Sequence, residues 1–242
     1  MSDITSGIIQ AFNLIITLNP EVMQIAALSI YISLFATLIA ALIAIPAGGF
    51  IHFHEFRGKR ALIVLIQTLY SVPTVVVGLV LYLLISKSGP LGLFGLLFTP
   101  AGMILGQTVL IIPIMMGLVI SALSGVDRGI SDTLVALGAT GFQKILEIVK
   151  EARYAILSAV VLGFGRAIAE VGVAMMIGGN IRDHTRVLTT AITLETGMGN
   201  FGFSLALGII LLIVALIVVV ILNLITSGLS NEAQRIAGGP PA

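Results

Sequence analysis

From Phe203 to Thr226 the chain carries no charged side chain. An apolar run of that length meets the requirement of about 20 residues for a helix that crosses a bilayer. Four further apolar runs lie at about 22–50, 61–85, 101–123 and 154–177, the last broken by Arg166 and Glu170. Of the 242 residues, 58% are hydrophobic and 10% are charged, whereas a soluble domain carries roughly 25% charged residues. The pattern therefore predicts an all-α membrane protein with five transmembrane helices. There is no cysteine, which excludes disulfides, thiolate metal sites and cysteine nucleophiles. A net charge of +1 gives no ground for a nucleic-acid partner.

Residues 1–20 mix apolar positions with Gln10 and Asn13 and lack a basic start. They read as an external segment holding an interfacial or re-entrant helix, with no cleaved signal peptide. In the first span Ser29, Ser33, Ala36, Ala40, Ala44 and Gly48 recur every three or four positions, a stripe suited to close helix packing. Pro73 lies in the middle of the second span and predicts a kink. The third span carries Gly102, Gly106, Pro113 and Gly117. Residues 180–202 read as a polar outer segment, and 228–242, ending in Gly-Gly-Pro-Pro-Ala, as a disordered cytoplasmic tail.

One stretch between spans is rich in charge. Residues 127–153 hold Asp127, Arg128, Asp132, Lys144, Glu147, Lys150, Glu151 and Arg153. They also hold Phe142, Ile145, Leu146 and Val149 at i, i+3, i+4 and i+7, the spacing of one helix face. Thr140 and Gln143 form a capping box, so a helix is expected just after Thr140. Ser131 is placed to cap a shorter helix over 132–137, and Gly138 separates the two as a residue that tolerates positive φ. Five spans put this stretch, the 52–60 turn and the tail on one side. That side has Arg57, Lys59, Arg60, Arg128, Lys144, Lys150, Arg153 and Arg235; the other has Lys87, Arg182 and Arg186. The positive-inside rule makes the basic side cytoplasmic, with the N-terminus outside and the C-terminus inside.

Catalytic chemistry is missing from the pattern. A phosphate-binding loop needs G-x-x-x-x-G-K-[ST], yet Gly58-Lys59 is followed by Arg60 and preceded by Phe53 where a glycine is required. His52 and His54 point apart on a helix and have no supporting ligands. The chain reads as non-enzymatic. Arg166 and Glu170, the charges at membrane depth, are four residues apart and able to pair. Charges within a span mark a transport path by default, against the simpler reading of a self-neutralised packing pair. Met175 and Met176 lie beside that path, and Met115 and Met116 are further candidates for an apolar gate. Ordinary packing is the competing reading for all four.

The segment from Asp132 to Glu151 resembles the cytoplasmic EAA-type loop of ABC importer permeases. Its start, Asp132-Thr133-Leu134, departs from Glu-Ala-Ala, while Ala136-Leu137-Gly138-Ala139-Thr140 matches and Glu151 stands where proline is frequent. A second segment, Gly163 to Glu195, resembles the oxyanion branch of these permeases, most of all the tungstate (Tup-type) group, then molybdate and sulfate permeases. The resemblance covers most of residues 21–226 and implies a type I ABC importer fold.

It further implies a homodimer in the cytoplasmic (inner) membrane, two ATP-binding cassette subunits and an external substrate-binding protein. ATP and magnesium would sit on the partner subunit, with no cofactor or metal on this chain. By resemblance, Asp132, Ala136, Gly138, Ala139, Thr140, Phe142, Ile145, Glu147 and Glu151 are expected at the ATPase contact. Arg166, Glu170, Met175 and Met176 are expected on the translocation path, and Arg182, Asp183 and Arg186 against the binding protein. The resemblance implies inward transport of a tetrahedral oxyanion. The alternatives are a secondary transporter or channel working alone and a non-transporting scaffold.

Overall fold

Two of the apolar runs are interrupted, the second at Pro73 and the fourth beside the buried carboxylate of Glu170. The computed structural model describes residues 2–236. Among these it contains nine α-helices and no strand. α1 (Ser2–Ile16) is followed by α2 (Pro20–Phe53), one continuous helix in spite of Pro46. The Asn19 side chain accepts from the N–H groups of Glu21 and Val22 at 3.1 and 3.3 Å, and Pro20 suits the first helical position because its missing donor has no intrahelical role there. The small-residue stripe from Ser29 to Gly48 is buried along its whole length.

The second run is broken, not kinked. α3 (Lys59–Leu69) ends before Pro73, and α4 (Thr74–Ile85) starts after it, so the run passes as one span only as a bent pair. Proline also pushes the preceding residue, Val72, out of helical geometry. α5 (Pro100–Ser124) is the expected third span, uninterrupted at Pro113. Among the described residues, three helices, α2, α5 and the apolar part of α9, are long and apolar enough to cross a membrane, or four if α3 and α4 count as one.

Two corrections follow in the charged stretch. α6 (Arg128–Ala136) starts earlier than expected, and its cap is Asp127, not Ser131: the Asp127 carboxylate accepts from the Gly129 N–H at 2.6 Å. α7 (Gly141–Ile168) joins what the sequence divides into a coupling helix and a fourth span. It ends nine residues short of the expected 177. A break at Ala169–Val171 is followed by a π-turn, Ala174–Gly178.

The expected polar outer segment is partly core. α8 (Leu188–Gly197) buries Leu188, Thr189, Thr190, Ala191 and Glu195. Threonine tolerates this because its hydroxyl finds a backbone carbonyl: Thr190 donates to that of Val187 and Thr189 to that of Glu170. α9 (Phe201–Ile236) carries the last span and continues into the expected tail, of which 237–242 lie outside the described residues.

The chain forms two compact units. One comprises the residues up to Ile39, Val72–Ile111 and Phe164–Ile217. Its core packs Val22, Ile25 and Ala26 of α2 with Leu188 and Ala191 of α8 and Leu207 and Ile210 of α9. A second cluster in it joins Leu81 and Ile85 of α4 to Leu110, Val173 and Ile177. The other comprises Ala40–Ser71, Ile112–Gly163 and the chain from Val218 onward. Its core sets Val119 and Leu123 of α5 against Ile148, Ala152, Ile156 and Ala159 of α7.

Candidate functional site

The elbow between α6 and α7 is built by local rules. Gly138 sits at φ +78, a conformation that costs a residue with a side chain far more. The Thr140 N–H then donates to Gln143 Oε1 at 2.8 Å, and the Gln143 N–H returns to Thr140 Oγ1 at 3.4 Å, closing the expected capping box. From there α7 runs unbroken for 28 residues, about 42 Å at 1.5 Å per residue. The elbow carries apolar side chains into the open: Leu137 is 79% and Phe142 75% exposed, with Val135 and Leu146 also exposed. Of the expected stripe, Ile145 and Val149 are half-buried, and Ile148 does the core packing. Glu147 pairs with Lys150 at 2.6 Å. Asp132, Ala136 and Thr140 are exposed and Ala139 is half-buried, while Glu151 and Asp127 line a cavity of about 580 Å³ between α5 and α7.

The pair at the far end of α7 forms as expected, with a different geometry. Arg166 Nη1 lies 2.7 Å from Glu170 Oε2, the arginine side chain 36% and the glutamate 1% exposed. Glu170 lies beyond the helix, inside the break. Its other oxygen accepts from the Val173 N–H at 3.1 Å, and its carbonyl accepts from the Thr189 hydroxyl at 2.8 Å. Here Glu170 caps the next turn as well as neutralising Arg166. Gly172 follows, so close to α4 that a Cβ would lie 2.6 Å from Thr74 Oγ1 and 2.9 Å from the Val75 nitrogen. The two interrupted runs thus meet at their interruptions. Met175 is exposed and Met176 half-buried over Gly78. Met115 is buried and Met116 half-buried in the other unit.

Arg182 and Arg186 are tied to α2. Arg182 reaches Glu21 Oε2 at 2.8 Å and Arg186 reaches Oε1 at 3.8 Å. Asp183, exposed at φ +61, turns the chain between them and accepts from the Gln24 side chain through its carbonyl at 3.5 Å.

Over residues 40–231 the sequence matches the family described as the binding-protein-dependent transport system inner membrane component. The chain belongs to that family. This permease is 40% identical over 215 residues to the tungstate uptake system permease protein TupB of Peptoclostridium acidaminophilum, covering 89% of this chain and 94% of that one. It is 43% identical over 198 residues to a probable anion ABC transporter permease protein of Haloferax volcanii, covering 80% and 85%. The sulfate transport system permease protein CysW of Escherichia coli is more distant, at 25% over 224 residues, 90% of this chain and 77% of that one. The permease is thus a membrane-embedded component of an ABC transporter.

Several residues of the site escape a reading of the permease sequence. Glu21 is an acid in the first turn of α2, and nothing local ties it to Arg182. Thr189 and Thr74 act through the fold, on a carbonyl nineteen residues away and a glycine on another element. Gln107 is buried on α5 with its Oε1 unpaired, and a single amide in an apolar run gave no pattern to read.

Proposed function

We propose that this permease carries a tetrahedral oxyanion, tungstate first, inward across the cytoplasmic membrane as one half of a homodimer, with ATP hydrolysed on two separate cassette subunits. An external binding protein delivers the anion to the face that bears Arg182, Asp183 and Arg186. The elbow at Gly138 faces the cytoplasm, and its exposed apolar residues, with Phe142 foremost, enter a groove on the ATPase; an amphipathic helix in a groove is a recurring docking mode.

The observation that supports this most is the continuity of α7, one helix from the capping box at Thr140 to the Arg166–Glu170 pair. Helices transmit displacement along their axes as stiff rods, so movement at the elbow reaches the break at Glu170 directly. A neutralised pair also suits transit: Arg166 attracts an anion while Glu170 limits how tightly it is held, and conduction requires weak binding. Tungstate is preferred over molybdate and sulfate because the tungstate relative is 40% identical, against 29% for a probable molybdenum permease and 25% for the sulfate relative.

The test is anion uptake into proteoliposomes holding the permease, its ATPase and its binding protein. Uptake is expected only with ATP and all three proteins, with tungstate outcompeting molybdate and sulfate. Uptake by the permease alone, driven by an ion gradient, would contradict the reading and favour a secondary transporter.

A further inference from the structure

The turn between α2 and α3 carries two arginines without a partner among the described residues. Arg57 and Arg60 are exposed, and neither makes an ion pair or hydrogen bond among the described residues. Lys59 between them is engaged: its Nζ lies 2.8 Å from Glu55 Oε1 and 2.9 Å from the His52 carbonyl. Gly58, at φ +91, turns the chain there, so the two arginines stand on either side of a tight reversal.

α3 continues from this turn with two unlike faces. Leu62, Ile63 and Ile66 pack with Ile51 and Ile120 in the core of their unit. Ala61, Val64 and Leu65 are exposed on the other face, and Arg60, four residues before Val64, heads the same face. Two uncompensated cations above an aliphatic strip have the outline of one phospholipid, with its phosphate at the guanidinium groups and its acyl chain along the strip. Guanidinium suits phosphate because its fixed fork of donors matches two oxygens at once. A zwitterionic headgroup would bring its own ammonium against the arginines. An acidic soluble partner would leave the strip uncovered.

We infer that the α2–α3 turn binds an anionic phospholipid of the bilayer through Arg57 and Arg60, with the acyl chain on Ala61, Val64 and Leu65. The inference is independent of the substrate and of which leaflet the turn faces.

Native mass spectrometry of the full-length permease, released from membranes of equimolar phosphatidylglycerol and phosphatidylcholine, tests it. Retained phosphatidylglycerol should exceed phosphatidylcholine by roughly tenfold or more, at the scale of about fivefold per basic residue near a charged membrane surface. Arg57→Gln with Arg60→Gln should abolish the preference, whereas Lys87→Gln should leave it intact. Arg57→Lys with Arg60→Lys keeps the charge and should retain part of it, which decides the matter if the glutamine variant misfolds. A preference that survives the glutamine pair, or that is absent from the wild type or from the lysine pair, overturns the site. Displacement of phosphatidylglycerol by millimolar inorganic phosphate would make it a soluble-anion site and overturn the lipid assignment. Unchanged lipid with loss of a co-purifying subunit would make it a protein contact instead.

Discussion

Arg166 and Glu170 are joined at 2.7 Å across the end of a helix, not along one. Because Glu170 lies past Ile168, its carboxylate links the last turn of α7 to the Val173 N–H that opens the next turn. The same side chain therefore has an electrostatic partner and a structural one, and two substitutions separate them.

Glu170→Ala removes both bonds, leaves a buried N–H unpaired and strips the counter-charge from Arg166. We expect a loss of about 2–3 kcal/mol, measured by thermal unfolding in detergent. Glu170→Gln keeps an acceptor for Val173 and should lose about 1 kcal/mol. If the pair serves transport, Glu170→Gln abolishes most uptake while the protein stays folded. Uptake that falls only in step with stability would make the pair purely structural.

Gly138 has open space where a Cβ would go, but its φ of +78 is closed to most residues. Gly138→Ala should therefore lose about 1 kcal/mol through backbone strain alone. Gly138→Pro, whose ring fixes φ near −65°, must reshape the elbow. Uptake should be lost while the amount of protein inserted in the membrane is unchanged, as read by blotting membrane fractions beside the transport assay.

Phe142 and Leu137 contribute little to the fold of the permease because both stand largely in solvent. Truncating each to alanine should leave the melting temperature within error. Binding of the ATPase subunit should weaken by about 1–2 kcal/mol per residue, the scale of an apolar anchor in an interface. Unchanged co-purification would remove the elbow from the interface.

Gly172→Ala places a methyl group against the Thr74 hydroxyl and the Val75 backbone. Overpacking of this kind destabilises by about 1–3 kcal/mol. Thr74→Ala relieves one of the two clashes, so the double variant should recover part, not all, of the stability. Full additivity in the double-mutant cycle would show that the contact is absent.

Spans one and three were legible almost to their ends because their apolar runs are long, and neither Pro46 nor Pro113 stops its helix. Pro73 announced a disturbance in the second run. Its depth, a complete break, depends also on contacts that no local signal carries, such as Gly78 beneath Met176 and Gly172 against Thr74. In the charged stretch, Lys150 to Arg153 looked like a boundary between coupling helix and span. Charge does not stop a helix when it is paired one turn away, as Lys150 is with Glu147, so α7 continues through it. The break at Ala169–Val171 was hidden for the opposite reason: a run of apolar residues there is interrupted by a carboxylate and a threonine hydroxyl from α8. At the elbow, by contrast, positive φ at Gly138 and the Thr140–Gln143 box are short-range chemistry, and both were readable.

The absence of cysteine makes the decisive measurement simple. Phe142→Cys would be the only thiol in the permease, placed at the tip of the elbow. In inside-out vesicles holding the assembled transporter, a membrane-impermeant maleimide should label it only when the ATPase subunit is stripped away. A short bis-maleimide should cross-link it to a thiol in that subunit's groove. Labelling only from the external face, or labelling that the bound ATPase does not affect, would contradict the coupling of ATP hydrolysis to transport through α7.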